Sequence, residues 1–282
     1  MTEIGLTPYR SQFVHEYAHG FANVIGALRG SDDGLASVVI GAHYDTCGDL
    51  PGADDNATGV ALLFSLAEAL QRKERRRAIV FAAFDAEEPP YFLTLQMGSI
   101  AFFERQGGDA AGCALIFDIV GHDFPMPGRR RLVVVTGAES HEPLARVIGS
   151  IGQPRGLNVL AADSKYVTPG DVVDLSDYSI FRKRGRPFLF FSAGHWRHYH
   201  QPSDTADRLD FGKLEAVSRY VQRIVGSLDH VALEEPRPAD SLRLELQMLR
   251  QTLGPLGVVA RLLLRRRNHL DWLAGMLQRL GL

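Results

Sequence analysis

Five side chains of metal-binding type fall in the order His43, Asp55, Glu88, Asp118 and His200, with a further carboxylate, Glu87, directly beside the third. Each stands at the end of an apolar run or in the Gly-containing turn that follows one. Oxygen and imidazole-nitrogen donors suit divalent cations such as zinc, and cobalt or manganese can take the same donors. Donors scattered along the chain but placed at strand ends would converge only through folding.

Each position carries its own chemical argument. His43 and Asp45 lie two apart in Gly41-Ala-His-Tyr-Asp-Thr, so on a strand they point the same way and Asp45 can accept the second N–H of a ligating imidazole. In Gly52-Ala-Asp-Asp-Asn-Ala-Thr-Gly two acids precede a helix. Helix capping needs only one of them, whereas a carboxylate held at this turn can bridge two cations, and Asp55 is chosen over Asp54. Glu87 and Glu88 follow a buried strand directly. Packed like charges resist ionising together, and a cation offsets that cost. Neighbouring side chains diverge, which makes Glu88 the ligand and Glu87 the general base. Asp118 is a lone acid in an apolar run, a costly placement unless it is paired or metal-bound. Among His195, His198 and His200 the residue pattern alone makes no choice. Tyr199 can offer its hydroxyl to a developing oxyanion, and Asp204 can orient this loop or His200. Cys47 lies close enough to His43 to be a soft extra ligand, although small buried hydrophobes are the ordinary role of both cysteines, Cys47 and Cys113.

The elements that must position these groups are legible as periodicities. Apolar runs at 37–42, 77–84, 113–117, 131–136 and 187–192 predict buried strands, and the first three deliver His43, the glutamate pair and Asp118. Helical spacing predicts helices over 57–72, 98–106, 141–151, 176–184 and about 210–232, the first with Asp55 or Asn56 at its N-cap. Such alternation implies an α/β fold, with a mostly parallel (mixed) central sheet covered by helices on both faces and ligands gathered at the carboxyl ends of the strands. The Pro-Arg-Pro around Arg237 marks a boundary between an α/β domain over 1–235 and a Leu/Arg-rich C-terminal helical extension over 236–282. Leu242, Leu246, Leu249 and Leu253 form one stripe there, and Leu262, Leu263, Leu270, Leu273 and Leu277 a second. A hairpin of this kind can fold back or make a homo-oligomer contact.

At 282 residues with 45% hydrophobic and 23% charged residues the chain has an ordinary globular composition. A net charge of −2 gives no reason to expect nucleic acid or an anionic membrane as partner. No stretch approaches the ~20 apolar residues of a membrane span. The first residues lack the basic start and apolar core of a signal peptide, so the cytoplasm is the expected address. Arg182, Arg184, Arg186 and Arg197 offer positive charge that could favour an acidic substrate.

From about Asn23 to Gly226 the chain resembles the co-catalytic di-zinc aminopeptidases of metallopeptidase family 28. The blocks that carry the resemblance are Gly-Ala-His-Tyr-Asp-Thr, Gly-Ala-Asp-Asp-Asn-Ala-Thr-Gly, Phe-Asp-Ala-Glu-Glu, Phe-Asp-Ile-Val-Gly, Ser176-Asp177-Tyr178 and Tyr-His-Gln-Pro-Ser-Asp-Thr, in the family's order. The resemblance implies a zinc exopeptidase fold and an aminopeptidase acting on peptides. It implies two zincs bridged by Asp55, with His43 and Asp118 on one and Glu88 and His200 on the other, and so selects His200 among the three histidines. Glu87 would deprotonate a water activated by the metal pair, Asp45 would orient His43, and Tyr199 would be an oxyanion donor. A glutaminyl-cyclase-like single-zinc transferase is the nearest alternative, and a non-catalytic scaffold a more distant one. The chain departs from the family pattern at Pro89–Met97, which intervenes before Gly98-Ser99 and implies a remodelled pocket rim, and in a short segment ahead of the first strand; neither touches a ligand, and both bear on substrate preference.

Overall fold

The computed structural model describes residues 1–123, 130–166, 174–254 and 266–272. Most of the second C-terminal Leu stripe (Leu262, Leu263, Leu273, Leu277) lies outside these residues; Leu270 is described and is buried.

The centre of the fold is built from strands with no solvent-facing side. Strands β4 (Ser37–His43), β5 (Ile79–Phe84), β6 (Ala111–Phe117) and β9 (Phe188–Ser192) are buried along nearly their whole length and run parallel in the order β5-β4-β6-β9. Continuous apolar runs are what a parallel sheet covered on both faces requires. Helices α1 (Thr58–Leu70) and α2 (Gly98–Arg105) make the crossovers from β4 to β5 and from β5 to β6. Helix α1 shares a face of the sheet with α3 (Glu142–Ile151), α5 (Phe211–Leu228) and α6 (Leu242–Leu253), where Leu66, Val217, Ile224, Leu244 and Met248 enter one core cluster. Helices α2 and α4 (Ser179–Lys183) cover the other face, with Phe102, Phe103 and Phe181 in a second cluster against Phe84 and Phe190.

The two sides of the sheet reverse direction. Strand β7 (Leu132–Thr136) lies antiparallel to β9, and β8 (Asn158–Ala161) pairs parallel with β7. On the opposite side β3 (Ala22–Leu28) is antiparallel to β5 and in turn receives the short β1 (Thr7–Pro8) and β2 (Val14–Glu16), giving nine strands in all among the described residues. Strand β7 matches the run at 131–136, whereas β1, β2, β3 and β8 were not expected. The segment before residue 37 is therefore not merely short lead-in chain: it forms the antiparallel edge of the sheet. Polar Asn23 and a glycine interrupt the apolar pattern of β3, and β8 has only four residues. Helix α4 is likewise confined to 179–183 rather than 176–184, and α5 stops at Leu228.

Helix α6 lies against β8 and α3. Gln153 donates to the carbonyls of Val159 (2.7 Å) and Met248 (3.4 Å), and the Thr252 hydroxyl also donates to Val159 (3.1 Å). No helix among the described residues is long and apolar enough to cross a membrane.

Candidate metal centre

The parallel strands end on one edge, and their last residues are the chemically suited ones. His43 closes β4, the Asp85–Glu88 turn follows β5, and Asp118 follows β6. Asp55 comes from the turn entering α1, and His200 from the loop after β9. His43 is wholly buried, and Asp55, Glu87, Glu88 and Asp118 are each 4–6% exposed.

Asp55 stands at the middle of the cluster. Its Oδ1 is 3.3 Å from His43 Nε2 and its Oδ2 is 3.1 Å from His200 Nε2. His43 Nε2 is also 3.5 Å from Asp118 Oδ1 and 3.9 Å from Glu87 Oε2, while His200 Nε2 is 3.1 Å from Glu88 Oε2. Ligands bound tetrahedrally to zinc at 2.0–2.1 Å stand ~3.4 Å apart, so these separations fit two cations that share Asp55. Three of the facing atoms, His43 Nε2, Asp55 Oδ2 and Asp118 Oδ1, are buried without a hydrogen-bond partner. Buried polar atoms are seldom left so, and cations bound on the two sides of Asp55 would account for all three. The donor set therefore fits a pair of divalent cations.

Electrostatics agree with this fit. Among the described residues, the basic groups within 4.0 Å of the four carboxylates are the imidazoles of His43 and His200. Absent a cation, burial pushes Glu87 well above the ordinary carboxylate range; His43 opposes this, and the charges of Asp118, Asp177 and Glu88 add to it. Burial, then the charge of Asp55, lifts Glu88 to about 8. Asp118 is raised by burial against the pull of His43. For His43, burial opposes the charged ring, but the Glu87 charge and the facing carboxylates of Asp118, Asp45 and Asp55 outweigh it and hold the pKa well above the usual value. Asp55 ends lowered, its burial outweighed by His43 and then His200. One cluster thus resists holding all its negative charge at once, which is the condition a divalent cation relieves.

Backbone geometry at the centre is unusual at three points. Ala86 (φ +55°) sets the glutamate pair, Ile119 (φ +52°) follows Asp118, and His200 itself has φ +51°. Left-handed conformations cost non-glycine residues ~1–3 kcal/mol, and a β-branched residue most clearly. Gly98 must be glycine for a different reason: a Cβ there would lie 2.4 Å from the Asp85 carbonyl, beneath the turn that presents Glu87 and Glu88.

The supporting residues partly depart from expectation. Asp45 Oδ1 is 3.4 Å from His43 Nδ1, but the nearer acceptor is the Asp45 carbonyl at 3.1 Å. The Asp45 carboxylate instead accepts from the backbone N–H groups of Glu87 (3.1 Å) and Glu88 (2.9 Å), fixing the glutamate turn. Asp204 does not reach His200. It accepts from the N–H groups of Asp54 (3.0 Å) and Asp55 (3.1 Å) and so anchors the turn carrying the central carboxylate. Asp55 does not cap α1; Asn56 does, accepting from Gly59 N–H at 3.0 Å while donating to the Phe117 carbonyl at 2.8 Å. Asp54 turns away and accepts from Gly121 N–H (2.6 Å) and contacts His122 Nδ1 (2.6 Å), joining the Asp55 turn to the segment after Asp118. The pairings of Asp45 with the glutamate turn, of Asp204 with the Asp54–Asp55 turn and of Asp54 with Gly121 and His122 have no local spacing signal. Asp177, wholly buried and raised by burial to about 7, was flagged only by its place in the Ser-Asp-Tyr block.

The loop after β9 sorts its three histidines. His198 contacts Ser203 Oγ at 2.7 Å and receives a bond from Arg197, while His195 is exposed. Tyr199 stacks between His195 (ring centres 4.0 Å apart) and His200 (3.8 Å), beside the carboxylates. Three of the four arginines considered for substrate charge are engaged elsewhere, Arg182 with Asp174, Arg184 with Glu104 and Arg186 with the Asp109 carbonyl, while Arg197 stays in the loop after β9 and donates to His198. The Pro89–Met97 loop brings Tyr91 edge-on to Phe21 (4.7 Å), which neighbours Tyr17, whose hydroxyl donates to the Asp85 carbonyl (3.2 Å). An aromatic wall therefore flanks the glutamate turn.

Comparison with known proteins bears on the family and the fold. The model of peptidase family M28 matches residues 23–225. The uncharacterized protein YfbL of Escherichia coli (strain K12) is 26% identical over 227 residues, which cover 70% of this chain and 68% of that one. The Legionella pneumophila LapA aminopeptidase is similar in fold, with a TM-score of 0.62 at 20% identity, over 79% of this chain and 58% of its own. Tannerella forsythia glutaminyl cyclase aligns with a TM-score of 0.57 at 20% identity, over 78% of this chain and 81% of its own.

Proposed function

Because this chain belongs to peptidase family M28, we propose that it is a zinc-dependent exopeptidase that removes residues from the free N-termini of peptides. The observation that carries the reading is Asp55, whose two oxygens face His43 and His200 separately. In this reading Asp55 would be shared by two zinc ions, with His43 and Asp118 holding one and Glu88 and His200 the other. Cobalt or manganese would serve as substitutes through the same oxygen and nitrogen donors.

When bound, the zinc pair lowers the pKa of water and polarises the scissile carbonyl. The protein's own groups do the rest. Glu87 lies on the His43–Asp118 side, 3.9 Å from His43 Nε2, and is left out of the Asp55–His200–Glu88 set. As general base it takes a proton from the attacking water and returns it to the leaving amine. Its burial strengthens it as a proton acceptor. Asp45 holds the Glu87–Glu88 turn through both backbone N–H groups and fixes His43 through its carbonyl. Tyr199, held by stacking on His195 and His200, is the side chain offered to the oxyanion.

A single-zinc cyclase reading is favoured by the likeness to the glutaminyl cyclase fold, but it gives no use to the His43 face of Asp55. The test is a panel of amino-acid p-nitroanilides and peptides, free or N-blocked, with and without chelator. Chelator-sensitive release from free N-termini alone is expected. Equal cleavage of N-blocked peptides, or turnover indifferent to chelator, would sink the reading.

A further inference from the structure

Cys47 has no part in the proposed reaction, yet it stands at the centre. Of the two cysteines, both free, Cys113 is wholly buried in β6 and Cys47 is partly exposed in the turn after Asp45. Cys47 Sγ, a Glu88 oxygen and a His200 nitrogen all lie within 4.8 Å of one another. Cys47, Asp55 and His200 line the same hollow. Asp55 Oδ2 faces into it, belongs to a side chain 5% exposed, and has no hydrogen-bond partner. A thiol, an imidazole and two carboxylates therefore converge where the second cation of the two-ion reading belongs. The first position, around His43 and Asp118, has no sulfur donor among the described residues.

Geometry permits a fourth bond. With Zn–S at ~2.3 Å and Zn–N or Zn–O at ~2.1 Å, tetrahedral ligands stand ~3.6 Å from the sulfur. A turn about one side-chain torsion covers a difference of at most about an ångström, and Gly48 (φ +57°), with open space around it, follows directly.

We propose that Cys47 is a soft ligand of the second cation, together with Asp55, Glu88 and His200, so that the two metal positions differ in kind. On coordination the thiol proton goes to solvent and a sulfur lone pair forms the bond. Thiolate donors favour zinc over the harder manganese or magnesium, so the second position would hold thiophilic cations and the first would accept harder ones. The inference rests on the two-ion reading.

The full chain and its Cys47→Ala and Cys47→Ser variants, stripped of metal and reloaded with cobalt(II), decide it by absorption. A thiolate-to-cobalt charge-transfer band in the near ultraviolet is expected in the parent and absent from both variants. A second readout uses the burial of Cys113, which leaves Cys47 as the alkylation target of the folded chain. Zinc should slow iodoacetamide labelling of Cys47, followed by mass spectrometry, by about tenfold or more, on the order of the effect of groups that tune a metal site. Two bound equivalents without the band, and labelling indifferent to zinc, would overturn the proposal while sparing the two-ion reading. One bound equivalent would overturn the two-ion reading, and the band would still decide whether Cys47 is a ligand.

Discussion

At the scale of single residues, the centre is a division of labour among carboxylates of the same chemical type. Asp54 and Asp55 are neighbours, yet one turns to His122 and the other lies between two imidazoles. Glu87 and Glu88 are neighbours, yet only Glu88 contacts His200. The proposed roles give opposite outcomes for conservative changes. Glu87→Gln should lower turnover by about 10²–10⁴-fold with both metals retained, because it removes the base and no ligand. Asp55→Asn should lose metal as well as turnover, since one oxygen is exchanged for an amide nitrogen at the shared position. Metal content and kcat measured on both variants check this; a Glu87→Gln chain with parental turnover would refute the assignment.

At the scale of elements, the site depends on which strands end beside one another. The parallel strands were legible because burial on both faces makes them continuous apolar runs, as in Val38–Ala42 and Ile79–Phe84. The proposed ligands His43, Glu88 and Asp118 were legible because they follow such runs, whereas Asp55 was read from its Gly-containing turn and His200 only from the family resemblance. What supports the ligands was not, since Asp204 reaches the Asp55 turn across 149 residues and Asp54 reaches Gly121 across 67. Contacts at that separation leave no periodicity. The N-terminal edge was missed for a related reason: the value of Asn23 lies in its partners. It is wholly buried, donates to the Gly98 carbonyl and to Gln106 (2.8 Å each), and accepts from Asp85 N–H (3.1 Å). It therefore ties β3 to the start of α2 and to the glutamate turn. Asn23→Leu should cost about 1–3 kcal/mol for each buried partner left unpaired, with a lower Tm and reduced turnover. An unchanged Tm would show that this tie carries no weight.

At the scale of the whole molecule, the charge that the centre concentrates should appear in the pH dependence of stability. Glu88, raised from 4.5 to about 8, and Asp177, raised from 3.8 to about 7, hold protons in the folded state that the unfolded chain has released. Groups of this sign favour folding at low pH, and their contribution is lost as pH rises through the folded values. The raised His43 acts in the same sense. The lowered Asp45 and Asp55 act oppositely, but only in acid near and below their ordinary range. The Tm of metal-stripped protein should therefore fall between about pH 5 and 8, and saturating zinc should reduce or reverse the fall because it holds the carboxylates as anions. A metal-stripped Tm that rises across this window would contradict the electrostatic account.

The most direct test of the central claim is a zinc titration of the metal-stripped chain, with bound equivalents counted by calorimetry and turnover of a free N-terminal p-nitroanilide followed at each step. Two zinc ions sharing Asp55 predict binding that saturates at two equivalents, turnover that depends on them, and no conversion of an N-terminal glutamine peptide to pyroglutamate. Saturation at one equivalent, with pyroglutamate formed and no peptide bond cleaved, would contradict it.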